Sequence, residues 1–279
     1  ISIFGSIGLL SFGGPAAQIA LMHRKLVDET GWLSEKSYVN ALGFCMLLPG
    51  PEAMQLATYC GWKLRGVAGG LLAGLLFVVP GALAIFALAA VYGTFGNVPL
   101  VSQLFLGIKA AVLIVVLEAL LRLSKRALTI RRQWVIAALA FVGIFFLALP
   151  FPLIVLAAGL YGAAFSTAQT ESHGEPGVAI GRPIAKTLRT VFLWAFIWLA
   201  PLALLDLAGS VPLLADIGWF FSKLAVVTFG GAYAVLAYMA QDVVAIHGWL
   251  SAGEMMDGLG LAETTPGPLI LVTQFVGFL

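Results

Sequence analysis

The sequence predicts an all-α integral membrane protein, built as an inverted repeat with broken helices or helical hairpins. Three observations support this fold class. Hydrophobic residues make up 61% of the 279 residues and charged residues 10%, with a mean hydropathy of +1.03, whereas a soluble domain carries about 25% charged residues. Apolar runs exceed about 18 residues without strand-like alternation, which indicates spanning helices. Three helix-breaking motifs also occur twice.

The repeat has a constant offset of 217 residues. Ungapped alignment of residues 12–51 with residues 229–268 gives 16 identities in 40 positions. The recurring motifs are Phe12-Gly13-Gly14 with Phe229-Gly230-Gly231, Gly31-Trp32-Leu33-Ser34 with Gly248-Trp249-Leu250-Ser251, and Pro49-Gly50-Pro51 with Pro266-Gly267-Pro268. In duplicated transporters, broken helices from the two halves meet at a substrate site near the bilayer midplane. The pattern therefore predicts a membrane transporter.

The breaks interrupt two apolar segments, 1–22 and 37–61, which segments 217–240 and 257–279 repeat. Proline removes a helical hydrogen bond, and unpaired backbone at membrane depth persists only inside protein or along a cavity. Further spans are expected at 67–95, 100–121, 133–149, 151–166 and 190–208. We expect an N-terminal repeat (1–166), a polar cytoplasmic linker (167–189) and the start of a C-terminal repeat (190–279). Counterparts of about 67–166 do not follow, so the chain is expected to be a fragment.

Basic residues predict the topology of the broken segments. If 1–22 and 37–61 crossed the membrane fully, loops 23–36 and 62–66 would face opposite sides. If both are hairpins that enter and return, loops 23–36, 62–66, 122–132 and 167–189 all face the cytoplasm with 13 of the 15 basic residues. Loop 241–256, which has no basic residue, then lies outside, as the positive-inside rule requires. We therefore expect hairpins and two halves of opposite orientation.

Five charged residues lie inside apolar sequence: Lys109, Lys223, Glu118, Glu52 and Glu263. A charge at the bilayer centre costs about 2.5–3.5 kcal/mol, so each is a functional candidate. Glu118 can instead pair with Arg122 one turn on, and Lys223 can extend to the interface. Glu52 can cap a helix N-terminus, for which Glu263 is less suited because it precedes its break. Glu52 and Glu263 are the candidates for proton coupling.

The breaks themselves suggest anion binding. Helices are expected to begin after Pro15, Pro51 and Pro268, and helix N-termini offer free N–H groups to an oxyanion while glycine lets the backbone approach it. Ser11 and Thr228 add neutral donors to this set. A tight crossing of small residues is the structural alternative for Phe-Gly-Gly. The predicted substrate-binding residues are Gly13, Gly14, Pro49, Gly50, Pro51, Gln55, Lys109, Gly230, Gly231, Thr264, Thr265, Pro266 and Gly267.

These motifs also carry a family resemblance. The segments are Phe12-Gly13-Gly14-Pro15, residues 48–59, Gly61-Trp62, residues 229–233 and residues 262–268. Together they resemble the chromate ion transporter family in its two-domain, long-chain form. The resemblance covers nearly the whole chain. It implies a multi-pass protein of the bacterial inner membrane that exports chromate, confers chromate resistance, and has homologous halves of opposite topology. Membrane potential or proton motive force would drive export.

Other functions were weighed against this one. A transporter of sulfate or another tetrahedral oxyanion fits equally well, because size and charge are nearly equal. A membrane reductase would need a nucleotide fingerprint and a metallohydrolase a motif such as H-E-x-x-H, and neither occurs. A structural or regulatory subunit would not need paired breaks. We therefore expect no enzyme, no cofactor and no metal.

The expected partners follow from the same reading. They are chromate or sulfate, the lipid bilayer and, in a homodimer, a second copy. The net charge of +2 is too small to indicate nucleic acid. Cys45 and Cys60 are expected to be packing residues rather than a disulfide.

Overall fold

A computed structural model of the chain describes residues 2–96, 98–147, 149, 151–165, 184–209, 211–228 and 232–279. Every element in these ranges is helical, and no strand occurs in them, which confirms the predicted all-α fold. The α-helices are α1 (Ser2–Leu10), α2 (Gly14–His23), α3 (Glu35–Leu47), α4 (Glu52–Phe95), α5 (Pro99–Ala127), α6 (Arg131–Phe145), α7 (Phe151–Phe165), α8 (Ile184–Ala208), α9 (Pro212–Val227), α10 (Ala232–Gln241), α11 (Ala252–Thr264) and α12 (Val272–Phe278). Two π-helices, Arg24–Glu29 and Asp242–Ile246, and a 3-10 helix, Leu269–Leu271, complete the set.

Helix α4 consists of two arms. Arg65 and Gly66 have non-helical backbone angles, with a φ of +64° at Gly66 that favours glycine. The first arm is residues 52–64 and the second arm is residues 67–95. Within the described ranges, two stretches are long and apolar enough to cross a membrane: Glu52–Phe95 and Thr187–Ala208. The second arm alone is about 43 Å long at 1.5 Å per residue, more than the thickness of a hydrocarbon core.

The broken segments of the first half are helical hairpins. Helix α3 and the first arm of α4 run antiparallel, because Lys63 donates a hydrogen bond to Ser37 and the rings of Phe44 and Tyr59 lie 6.0 Å apart. Helices α1 and α2 also return to the side they enter from. Phe4, near the start of α1, lines one cavity with Trp32 in the loop after α2 and with Leu64 and Arg65 at the turn of α4. The start of α1, the loop after α2 and the turn of α4 therefore share one end of the molecule, here called the basic end.

Glycine contacts hold these hairpins against the second arm of α4. A Cβ added to Gly61 would lie 2.4 Å from the carbonyl oxygen of Gly69, so the two arms approach backbone to backbone. A Cβ on Gly8 would lie 2.0 Å from the carbonyl oxygen of Leu76. Pro80, inside α4, has no N–H to offer this carbonyl one turn back. Gly8 covers the freed carbonyl closely enough for a Cα–H···O contact.

The second half repeats the first at the level of individual turns. Each half has a helix before its Phe-Gly-Gly motif, a second helix that continues into a π-helix, and a serine-capped third helix before Pro-Gly-Pro. Ser34 accepts from the N–H of Ser37, and Ser251, its counterpart, accepts from the N–H of Glu254. The π-helices also fall at equivalent positions, which shows that the unusual turn belongs to the repeat. A helix begins directly after Pro268, as predicted, with the 3-10 helix Leu269–Leu271 leading into α12.

The two halves are inverted along the second arm of α4. From residue 67 onward, the arm contacts the first half at Leu76 and Phe77. Gly81 then meets the second Pro-Gly-Pro break. Beyond Gly81 the arm contacts the second half, and the ring centroids of Phe86 and Phe278 lie 5.5 Å apart. The hairpin of α11 and α12 therefore enters from the Phe95 end, opposite the basic end, and its tip stops at the middle of the arm.

Two boundaries differ from the sequence prediction. Helix α2 begins at Gly14, one residue before Pro15, because proline is tolerated in the first turn of a helix. Helix α8 begins at Ile184, so Lys186 and Arg189 lie on this helix rather than in the predicted 167–189 linker. Residues 166–183 of that linker are outside the described residues.

The chain divides into two compact units, and both Pro-Gly-Pro breaks lie in one of them. That unit comprises residues 1–128 and 223–279. The other unit comprises residues 129–222, with α6, α7, α8 and most of α9. Within the latter, Leu202 on α8 lies where a Cβ on Gly218 of α9 would point.

At the basic end, His23 links the first two hairpins. Its Nε2 lies 2.6 Å from a carboxylate oxygen of Glu35, and its Nδ1 lies 3.2 Å from one of Asp28. The hydrogen bond with Glu35, followed by the charges of Glu35 and Asp28, raises the pKa of His23 above its usual 6.5, against a smaller opposing effect of burial. The imidazolium therefore joins the end of α2 to the start of α3.

We expect Gly8→Ala to lower the thermal unfolding midpoint of the protein in detergent, because the new methyl group would collide with the Leu76 carbonyl. Gly5→Ala, on the same helix, is the matched control, since a Cβ there meets nothing within 4 Å. The control should leave the midpoint unchanged or raise it, because alanine favours a helix over glycine by up to about 1 kcal/mol. Equal midpoints for the two variants would contradict this packing.

We expect His23→Gln to destabilise the protein at mildly acidic pH only. A pKa that folding raises adds stability that is fully present below the unfolded pKa of about 6.5 and is lost as pH rises through the folded value. Unfolding midpoints of wild type and variant should differ most near about pH 5–6, where the carboxylates are still charged, and converge above the raised pKa. Glu35→Gln should show the same trend, and a difference independent of pH would refute the ionic link.

Candidate functional site

The breaks of the two halves meet through a reciprocal pair of backbone hydrogen bonds. The N–H of Gly50 donates to the carbonyl oxygen of Thr228 at 2.7 Å, and the N–H of Gly267 donates to the carbonyl oxygen of Ser11 at 2.9 Å. Gly50 and Gly267 are repeat counterparts, as are Ser11 and Thr228, so one bond is the symmetry equivalent of the other. Each Pro-Gly-Pro break is thereby fixed to the residue preceding the Phe-Gly-Gly motif of the opposite half.

Gln18 strengthens one side of this contact. Its side-chain amide donates to the carbonyl oxygen of Gly267 at 2.6 Å and to that of Ser11 at 3.3 Å. The side chain is 1% exposed, and in the described structure its Oε1 has no hydrogen-bond partner. Two carbonyl acceptors fix the orientation of the amide. The repeat counterpart is Val235, so this bridge exists in one half only, and its role was not predicted from the sequence.

The hydroxyl groups predicted as anion donors are already engaged. Ser11 donates to the Ile7 carbonyl and Thr228 to the Leu224 carbonyl, both at 2.6 Å. Thr264 and Thr265 likewise donate to carbonyls one turn back in α11. The amide of Gln55 donates to the Pro49 carbonyl at 2.6 Å. In this conformation the hydroxyl and amide groups named here donate to backbone carbonyls. Their assignment to an anion stays a prediction.

Glycine is required where the tips approach one another. Gly50 and Gly267 have φ values of 115° and 98°, which other residues rarely adopt. Gly13 and Gly14, at the start of α2, also have positive φ. A Cβ on Gly81 of α4 would lie 2.1 Å from the Pro266 carbonyl oxygen. The second break therefore contacts the α4 backbone directly at the middle of its second arm.

The predicted charged residues lie at different distances from the breaks along the chain. Glu52 is the first residue of α4, after Pro51, and is half-buried. Glu263 lies in the last turn of α11, where the helix dipole disfavours an acid. Lys109 lies within α5, and its side chain is outside the described structure, as are Gly230 and Gly231.

Two cavities lie in the first half, and neither is formed by the meeting breaks. One of about 520 Å³ opens near the basic end and is lined by Phe4, Trp32, Leu72 and other apolar groups, with Arg65. The other, of about 480 Å³, lies beside α3 and the first arm of α4, between Phe44, Trp62 and Leu71. Such apolar linings suit lipid chains or packing partners.

Two polar clusters that involve acids of the second half were not predicted from the sequence. The hydroxyl of Tyr92 donates to Asp257 at 2.8 Å. Tyr238 forms side-chain hydrogen bonds with Lys223 and with the buried Asp242. Of these five residues, only Lys223 was singled out. The sequence could have drawn attention to Asp257, because it is an acid seven residues before Thr264 on α11, the helix that ends at the second Pro-Gly-Pro break.

Comparison with known proteins identifies the family of the chain. The family model described as "Chromate transporter" matches residues 1–163 and 215–279, which include both copies of the repeat. The chain belongs to the chromate transporter family. Among its relatives, the chromate transport protein of Pseudomonas aeruginosa is 37% identical over 99% of this chain, and that of Cupriavidus metallidurans is 29% identical over 100% of it.

The match to these chromate transporter relatives covers part of their length. The chain spans 64% of the Pseudomonas protein and 66% of the Cupriavidus protein. No solved structure matches this member of the family. The resemblance deduced from the Phe-Gly-Gly and Pro-Gly-Pro motifs is therefore confirmed at the level of the family.

We expect Gln18→Leu to destabilise this chromate transporter family member more than Gln55→Leu does. Gln18 bridges the two halves from a buried position, whereas Gln55 bonds only within its own hairpin. Loss of a buried hydrogen-bond partner costs about 1–3 kcal/mol, which corresponds to a fall of several degrees in the unfolding midpoint. The measurement is thermal unfolding of purified protein in detergent, and equal shifts for the two variants would argue against a bridging role.

Proposed function

We propose that the protein exports chromate across the bacterial inner membrane, with the anion bound where the helix breaks of the two halves meet. The observation that carries this proposal is the convergence of inverted hairpin tips at the middle of the second arm of α4. The names of the chromate transport relatives support the choice of anion. Backbone N–H groups at helix starts, glycine for close approach, and Lys109 of α5 would provide the binding chemistry.

The driving force can be supplied by the membrane potential. Moving one elementary charge across 100 mV is worth about 2.3 kcal/mol, so a dianion leaving a negative interior gains roughly 4.6 kcal/mol, or about three decades of gradient. Proton exchange would add to this, with Glu52 and Glu263 beside the breaks as carriers. Positive residues at the basic end, including Arg24, Lys63 and Arg65, support a cytoplasmic location for that end.

Alternating access would require the reciprocal contacts to open. In the present arrangement Gly50 and Gly267 use their N–H groups to hold the opposite half, so these groups are closed to an anion. We propose that one contact opens at a time, which would expose the N–H of its glycine to the anion on one side of the membrane. The inverted symmetry gives each side of the membrane one such contact.

The test is uptake of labelled chromate by everted membrane vesicles, with the membrane potential and the pH gradient collapsed separately. We expect uptake above that of vesicles without the protein, and loss of most of it when the potential is collapsed. No uptake above the control vesicles would contradict chromate export. An excess of unlabelled sulfate competing as well as chromate would instead favour a general carrier of tetrahedral oxyanions.

Lys109→Ala is expected to abolish this uptake, because it removes the cation from an apolar helix segment. No other basic residue lies close to it in the sequence. Lys125→Ala, near the end of the same helix, is the matched control and should transport normally. Wild-type rates with Lys109→Ala would remove this residue from the site.

A further inference from the structure

Lys223 is the only lysine or arginine in residues 190–279, which also contain six acids. These acids are Asp206, Asp216, Asp242, Glu254, Asp257 and Glu263. The basic end, in contrast, carries several cations of the first half. An oxyanion that leaves the breaks on the other side therefore meets one lysine of the second half among many carboxyl groups. Because a fixed charge within apolar membrane sequence is costly, such a residue points to function.

Lys223 lies on the side of the meeting breaks that is opposite the basic end. It belongs to α9, five residues before Thr228, whose carbonyl oxygen accepts from the N–H of Gly50. Five residues of helix correspond to about 7.5 Å. Side chains of a helix tilt toward its N-terminus, so the ammonium group points away from the contact of Thr228 with Gly50. By the inversion of the two halves, this direction leads to the Phe95 end of α4.

A tyrosine connects Lys223 with a buried acid. Tyr238 of α10 forms side-chain hydrogen bonds with Lys223 and with Asp242, and the Nζ atom of Lys223 lies 5.7 Å from the centre of the tyrosine ring. Tyr238 and Asp242 are buried, whereas Lys223 is exposed. An ammonium group has three N–H donors, more than a single tyrosine oxygen accepts. The exposed ammonium group is therefore able to donate to an anion.

This cluster occurs in one half only. The repeat counterparts of Lys223, Tyr238 and Asp242 are Ser6, Leu21 and Lys25. Helices α1 and α2 form the equivalent hairpin of the first half without any of the three side chains. The fold of the repeat thus does not depend on the cluster, which favours a role on one side of the membrane over a purely structural one.

We propose that Lys223 is a second binding residue for the exported oxyanion, which it receives after the anion leaves the breaks toward the Phe95 end, and that Asp242 limits this binding through Tyr238. This inference rests on the proposed function and adds a residue to its path. The ammonium group would hold the anion by charge-assisted hydrogen bonds. Because Asp242 balances the charge of Lys223, the anion is attracted but not retained, as release from a transport path requires.

The experiment measures exchange of labelled external chromate for excess unlabelled internal chromate in right-side-out membrane vesicles that contain the protein. We expect Lys223→Gln to raise the half-saturating external concentration about fivefold, the effect of losing an exposed ionic contact. Lys223→Arg, which keeps the charge, should stay near wild type. Lys25→Gln is the matched control, because it removes one positive charge at the basic end, and it should leave this concentration unchanged.

Asp242→Asn is expected to have the opposite effect and to lower the half-saturating concentration, because the charge of Lys223 is no longer balanced. Combined with Lys223→Gln, it should have no such effect, since the cation on which it acts is then missing. If Asp242→Asn does not fold, Tyr238→Phe takes its place, because it removes the hydroxyl that joins the acid to the lysine. A cluster that only stabilises the fold would lower the unfolding midpoint in these variants without changing the half-saturating concentration.

The outcomes separate this inference from the proposed function. A wild-type half-saturating concentration for Lys223→Gln, in vesicles where the wild-type protein exchanges chromate, would overturn the inference alone. A raised value for folded Asp242→Asn, or for Tyr238→Phe in its place, would overturn the role given to Asp242. Wild-type vesicles with no chromate exchange above vesicles without the protein would overturn the proposed function and this inference together.

Discussion

Every break in a helix inside a membrane protein leaves backbone groups that lipid cannot satisfy, and this constraint organises the whole structure. Proline at residues 49, 51, 266 and 268 prevents the helices from continuing, so the glycine between each pair has an N–H without a helical acceptor. The partners come from the opposite half: the carbonyl groups of Thr228 and Ser11. The two repeats therefore must meet tip to tip, and the buried amide of Gln18 adds a third donor to the same contact.

The second arm of α4 provides the common surface on which this meeting occurs. Glycines rather than large apolar side chains set its closest contacts, at Gly69 with Gly61 and at Gly81 with Pro266. In lipid, association of helices depends on close packing and hydrogen bonds rather than on the hydrophobic effect. The long arm can thus receive one set of hairpins along its first half and another, of opposite direction, along its second half.

Much of this architecture could be predicted from the sequence, since duplication and proline are local signals. The constant offset identified the repeat, and the basic residues of loops 23–36 and 62–66 favoured hairpins over full spans. The particular partners could not be predicted, because the sequence does not show which carbonyl a glycine N–H will reach. For the same reason the sequence did not show that the hydroxyls of Thr264 and Thr265, which are predicted to bind an anion, donate to carbonyls of their own helix. Asp257 escaped notice because its cost becomes visible only when α4, α5 and α12 cover it.

The cross-wise pairing of Gly50 with Thr228 and Gly267 with Ser11 has a consequence for biosynthesis. When the first half emerges from the ribosome and enters the bilayer, the amide of Gly50 has no acceptor until Thr228 is made, and the carbonyl of Ser11 has no donor until Gly267 is made. The early hairpins must therefore wait, shielded by insertion factors or by shallow placement near the lipid headgroups. A chain with one copy of the motif could form the same pair of hydrogen bonds only with a second molecule inserted in the opposite orientation beside it.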